Sequence, residues 1–153
     1  MKKPVKVKRI PFKEFKKIYS RVPRLCVEAV LIHDDGILLI KRSIKPAIGK
    51  WHTPGGTVLK GEDLEQAVKR VAEEELNLKV EICEFLGVIE YKSYTNHYSQ
   101  DISLAFTVEP TDKNFINKIK LDGHADEFGF FPKLPTDMII DQKKFYEERL
   151  GME

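Results

Sequence analysis

Glu75 is out of place for an ordinary amphipathic helix. Between Leu64 and Leu76, apolar residues recur at helical spacing as Leu64, Ala67, Val68, Val71, Ala72 and Leu76. At about 100° per residue, Glu75 projects between Leu64 and Val68, near the centre of that apolar face. An ionised carboxylate buried there without a partner costs several kcal/mol. A bound cation offsets the charge and brings reactivity with it. The turn before the helix is Pro54-Gly55-Gly56, and Glu74 stands beside Glu75 at the helix edge. The Gly55-Gly56 pair lets backbone approach a ligand closely, and the Gly56 carbonyl is a candidate metal ligand. Glu74 and Glu75 add hard oxygen donors suited to Mg²⁺, with Mn²⁺ as a substitute. Such an ion bridges diphosphate oxygens and neutralises charge on a leaving group. Arg70 lies four residues before Glu74, within pairing distance along a helix, and is expected to orient the carboxylates. Glu62 reads as a loop-fixing residue, with direct metal contact as the alternative. Glu73 points to solvent.

The spacing of these residues resembles a known signature. Gly56, five residues to Glu62, seven to Arg70, then Glu74-Glu75 and Leu78 are similar to the box that defines the Nudix hydrolases. Val71 stands where that box has its first helix glutamate, Ala72 occupies an apolar position, and Asn77 replaces a glycine. Asn is the next-best residue to Gly for the left-handed conformation that ends many helices.

A finer resemblance runs through Arg42-Ser43-Ile44-Lys45-Pro46-Ala47-Ile48-Gly49-Lys50-Trp51 into Pro54-Gly55-Gly56, and it is to the GDP-mannose mannosyl hydrolases. It extends to Phe12–Leu25, Gly87-Val88 and Asp122–Phe128. That subgroup also lacks the first helix glutamate, and its principal helix ligand corresponds to Glu75. The resemblance implies hydrolysis of a nucleotide sugar by water attacking the anomeric carbon. It makes His124 the general base, Arg42 the group that stabilises the departing diphosphate, and Glu28 an acidic residue near the site. Gly123 stands where the subgroup has a glutamine metal ligand, whereas Glu74 is a feature of ordinary Nudix enzymes. An imidazole titrates near neutrality, which suits a general base. The rival base is Glu127, because many pyrophosphatase members of the family use a carboxylate from this late loop. The alternative function is cleavage of the P–O–P bond of ADP-ribose, a nucleoside triphosphate or a similar diphosphate. A nucleotide-binding module without catalysis is the third reading. Trp51, His52, Tyr94 and His97 are candidates for substrate contact, His52 through phosphate. Tyr91 and Tyr98 are further aromatic candidates for a nucleobase.

These residues need positioning elements. The pattern predicts a helix at Phe12–Tyr19, strands at Leu25–His33 and Ile37–Arg42 around an Asp34-Asp35-Gly36 turn, and a loop from Lys45 to Gly56. After the Glu75 helix come strands near Lys79–Tyr91 and Ser99–Val108. A lysine-rich helix or loop at Asp112–Lys120, a short strand at Phe128–Pro132 and a closing helix at Asp141–Leu150 follow. Strands flanked by helices indicate an α/β/α sandwich with a mixed sheet, the fold the resemblance also implies.

The chain has 153 residues, 42% hydrophobic and 33% charged, which fits one globular domain spanning 1–153 with the box at 55–78. Residues 1–24 form a basic, partly helical segment. With a net charge of only +2 and no reader motif, that segment reads as a solvated face, and no nucleic-acid partner is expected. No stretch of apolar residues is long enough to span a membrane and no signal-peptide pattern is present, so a cytoplasmic protein without a membrane partner is expected. Cys26 and Cys83 are expected to be buried free thiols. The family resemblance further implies a homodimer.

Overall fold

The computed structural model describes residues 8–93 and 97–152. A short helix α1 (Phe12–Tyr19) leads into strand β1 (Arg24–His33), hairpin partner β2 (Gly36–Arg42), and two short strands, β3 (Trp51–His52) and β4 (Gly55–Thr57). Helix α2 (Leu64–Leu76) follows, then β5 (Val80–Glu90), β6 (Asp101–Pro110), β7 (Ala125–Phe131) and helix α3 (Ile140–Leu150). The strands form one seven-stranded mixed sheet in the order β3-β2-β1-β6-β5, with β4 added to β1 and β7 to β2. Only β1 and β6 run parallel among these pairs. Their central position explains the unbroken buried run Cys26–Leu31, since a strand covered on both faces loses the alternation of a half-exposed one.

Two cores flank the sheet. Val27, Ala29 and Leu31 of β1 pack with Ala67, Val68, Val71, Ala72 and Leu76 of α2. Val30 points the other way, joining Ile37, Leu39, Ile89 and Tyr146 of α3. The chain is therefore an α/β/α sandwich. Asp34 and Asp35 both adopt positive φ (49° and 63°), which gives the hairpin turn the twist its strands require.

Helix α2 is closed at both ends. Asp63 accepts from the Gln66 N–H and the Gln66 side chain accepts from the Asp63 N–H, a reciprocal capping box. At the other end Asn77 takes the left-handed conformation (φ 60°), its N–H donating to the Glu73 carbonyl and the Leu78 N–H to the Ala72 carbonyl.

Three expectations change, and one left open between helix and loop is resolved. The Lys45–Gly56 loop contains β3 and the start of β4, strands too short to show a period and formed only by pairing with β2 and β1. The last strand begins at Ala125 rather than Phe128, because β2 offers partners from Ile37 to Arg42. The lysine-rich segment contains a single 3-10 turn, Phe115–Lys118, anchored by buried Phe115. Cys83 is exposed on edge strand β5, whereas Cys26 is buried. Among the described residues no helix is long and apolar enough to cross a membrane.

Candidate active site

The site is a cavity of about 1030 Å³ between α1, β1, the β2–β3 loop, the Gly55-Gly56 turn and α2. Its floor is fixed by backbone register. Strand β4 lies against β1 with Gly55 opposite Glu28 and Gly56 opposite Val27. A side chain at Gly55 would place its Cβ 1.7 Å from Glu28 Oε2, so only glycine leaves room for that carboxylate. Glu28 is 5% exposed, and its Oε1 accepts hydrogen bonds from Tyr91 (2.8 Å) and Gln142 Nε2 (2.8 Å). Gln142 is held in turn by its Oε1, which accepts from the Thr53 N–H at 2.8 Å, and Thr53 Oγ1 lies 2.8 Å from the Tyr146 hydroxyl. Burial pushes the Glu28 carboxyl up to about 8, against the pull of the Tyr91 hydrogen bond and the Arg24 charge.

Glu75 lines the same cavity from α2. Burial pushes its carboxyl well above the usual range, and the charges of Asp122 and Glu28 push it further. The Gly55 N–H, donating to it, and the Arg42 guanidinium oppose that rise. Glu75 thus senses two further carboxylates, Glu28 in the same cavity and the exposed Asp122 outside its lining. Among the described residues no three His, Cys, Asp or Glu side chains form a ready-made metal cage. A cation held at Glu75 would draw its other donors from the Gly55-Gly56 backbone, water or a substrate phosphate.

Arg42 enters the cavity from the end of β2. Its Nε donates to the Pro46 carbonyl at 2.6 Å and Nη2 to the Lys45 carbonyl at 3.2 Å, which braces the loop and fixes the positive charge. His124 lines the cavity with its side chain 70% exposed. Asp122 holds its backbone: Oδ1 accepts from the His124 main-chain N–H at 2.9 Å, and Oδ2 stands 3.6 Å from Nδ1, beyond hydrogen-bond reach. His52 lines the cavity from β3 and is buried, with Nδ1 2.7 Å from the Thr53 carbonyl. Burial, and then the Arg42 charge, push its pKa down to about 3. His97 lines the outer part beside Tyr98, and burial lowers its pKa.

Other candidates lie elsewhere. Glu74 faces outward, where Arg9 Nη2 contacts both its carboxylate oxygens at 2.6 Å and Arg70 Nη1 reaches it at 3.1 Å. Glu127 is 60% exposed on β7 and pairs with Lys41 at 3.5 Å, because strand alternation turns it away from the cavity. Trp51 packs edge-on against Phe131 in the second core. Tyr94 lies outside the described residues. Gly123 has a positive φ of 95° and open space where a side chain would be.

Comparison with known proteins matches a NUDIX domain to residues 22–148. The chain belongs to the Nudix family. It is 40% identical over 114 residues to the low-salt glycan biosynthesis protein Agl8 of Haloferax volcanii, covering 69% of this chain and 71% of that protein. It is 41% identical over 120 residues to an ADP-ribose pyrophosphatase of Methanocaldococcus jannaschii, covering 75% and 68%. Among solved structures, a MutT NUDIX hydrolase from Burkholderia pseudomallei superposes with a TM-score of 0.72 at 27% identity, covering 82% of this chain and 97% of that one.

The Nudix box can now be read on the fold. Glu62 precedes α2 and accepts from the Leu59 N–H at 2.8 Å and from Arg70 Nε at 2.9 Å and Nη2 at 2.8 Å. Arg70 also donates to the Thr57 carbonyl at 2.7 Å, so the pair ties the Gly55–Thr57 strand to the helix. Val71 is 2% exposed, and its Cγ2 would lie 3.2 Å from a Cβ at Gly56, so the position of the missing glutamate belongs to the packed core. Asp122 and Gln142 were not among the predicted site residues. Gln142 sits in a helical period that marks it only as a polar residue on an inward face. Asp122 had a local signal, its place two residues before a candidate histidine.

Proposed function

We propose that this Nudix protein is a divalent-cation-dependent hydrolase of a nucleotide sugar, and that it cleaves the sugar C–O bond. The carrying observation is the membership of the cavity: it collects His124, Arg42, Glu75 and Glu28 and leaves out Glu74 and Glu127. Glu75, with the Gly56 carbonyl, would hold Mg²⁺ or Mn²⁺, and a buried carboxylate sharing its cavity with Glu28 fits a cation chemically. When bound, the ion neutralises diphosphate charge.

The remaining roles fall to the chain itself. His124, beside Asp122, accepts a proton from water as the water oxygen bonds to the anomeric carbon. The anomeric C–O bond breaks, its electron pair leaves with the diphosphate, and Arg42 compensates that charge. The products are a free sugar and a nucleoside diphosphate. A relative named for glycan biosynthesis is in keeping with a sugar-bearing substrate.

A second reading has its own observation. The relative named as an ADP-ribose pyrophosphatase supports cleavage between phosphorus atoms, with a carboxylate base. The two readings rank variants oppositely. His124→Gln should lower kcat on GDP-mannose at least a hundredfold, with Glu127→Gln within about threefold of wild type. The opposite ranking on ADP-ribose would favour the second reading and reject the first.

A further inference from the structure

His124 stands on a loop with little packing of its own. Its side chain is 70% exposed. Gly123 before it has a φ of 95°, and no atom lies within 4 Å of where a Cβ there would stand. Burial therefore does not fix this histidine, and directional bonds along its backbone must. Two of them come from one residue, Ser43, just past the end of β2. The Ser43 N–H donates to the His124 carbonyl at 3.0 Å, and Ser43 Oγ donates to the Gly123 carbonyl at 2.8 Å. The bond from the His124 N–H to Asp122 lies within the loop itself, whereas the Ser43 pair ties the loop to the sheet.

Strand register brings the two together. Strand β7 pairs with β2 as Glu127 to Lys41 and then as Ala125 to Arg42, which leaves Asp126 as an extra residue. A bulge of this kind shifts everything beyond it by one place and re-aims the side chains there. Without it Ala125 would stand level with Ser43; with it His124 does. Ser43 also follows Arg42 directly in the chain, and Arg42 and His124 line the same cavity. The group assigned to the attacking water and the group assigned to the departing diphosphate are thus joined through one serine.

We propose that Ser43 is a positioning residue whose hydroxyl clamps the His124 loop to the end of β2 and so sets the imidazole against the diphosphate end marked by Arg42. The role depends on the nucleotide-sugar reading above, in which His124 is the base. A displacement of about 1 Å at a reacting group can cost about a hundredfold in rate, and losing one of two tethers should cost part of that.

Full-length protein with Mg²⁺ is assayed on GDP-mannose as wild type, Ser43→Ala, Ser43→Thr, His124→Gln and the double variant Ser43→Ala with His124→Gln. Ser43→Ala keeps the N–H bond and loses the hydroxyl, so kcat should fall about tenfold while KM stays within about twofold. Ser43→Thr retains a hydroxyl and should return kcat to within about threefold of wild type. With His124 already replaced, Ser43→Ala should change kcat by less than about twofold, because the group it positions is gone. A loss that persists undiminished in that background, or that falls on KM instead, would mean a merely structural role and would overturn the inference. Wild-type kcat in Ser43→Ala would overturn it too, and each of these results leaves the functional reading standing. Wild-type turnover of GDP-mannose by His124→Gln would instead remove the functional reading, and the role of Ser43 with it.

Discussion

Removing the charge of Glu28 should stabilise the unliganded protein at alkaline pH. Glu28→Gln keeps an acceptor oxygen for Tyr91 and Gln142 and replaces the atom that ionises. Unfolded, the carboxyl titrates at its ordinary 4.5; folded, burial raises it to about 8. Between those values the native state holds a proton that the unfolded chain has released, so wild-type stability falls as pH rises through that window. At about 1.4 kcal/mol per pH unit, the gap sets a ceiling of about 5 kcal/mol on the loss. The side chain is almost fully buried, so solvent screening removes little of it. Urea denaturation in EDTA at intervals from pH 5 to pH 8.5 measures the effect. The two proteins should match to within about 1 kcal/mol at pH 5, and the variant should be ahead by at least about 2 kcal/mol at pH 8.5. A pH-independent difference, or wild type gaining on the variant as pH rises, would refute the assignment of a held proton to Glu28.

Further outcomes follow from the same geometry. Glu75→Gln should abolish metal-dependent turnover and weaken Mn²⁺ binding at least tenfold by calorimetry; unchanged binding would remove Glu75 from the metal site. Arg70→Leu strands the Glu62 carboxylate, whose side chain is 1% exposed, and should cost about 3–5 kcal/mol in urea denaturation. Arg9→Ala removes only an exposed pair to Glu74 and should change stability by less than about 0.5 kcal/mol. Asn77→Ala forces a β-carbon residue into the left-handed conformation and should cost about 1–2 kcal/mol, whereas Asn77→Gly should cost less, as judged by thermal melts.

Much of this architecture was legible because its signals are local. The period of α2, its Asn77 terminus, the Asp34-Asp35 turn and the apolar run of β1, broken only by Glu28, each depend on residues within a few positions of one another. Strands β3 and β4 were not legible, since two or three residues carry no period and exist as strands only through β2 and β1. The site divides the same way. Glu75 betrayed itself by a charge on an apolar helix face, and Gly55 by its pairing with Gly56, although the need for it comes from Glu28 on another strand. Glu74 was read as a second metal donor, but its place at the helix edge turns it outward, where Arg9 and Arg70 pair with it. The polar chain from Glu28 through Gln142 to Thr53 was hidden because Glu28 and Gln142 are 114 positions apart and meet only across the assembled sheet and α3.

The most direct single test is the fate of oxygen-18 from water when purified protein and Mg²⁺ meet GDP-mannose, with ADP-ribose in parallel. Hydrolysis at carbon, with His124 as base, predicts labelled mannose and unlabelled GDP. Label in a nucleoside monophosphate or a sugar phosphate would mean attack at phosphorus and would contradict the proposed roles of His124 and Arg42.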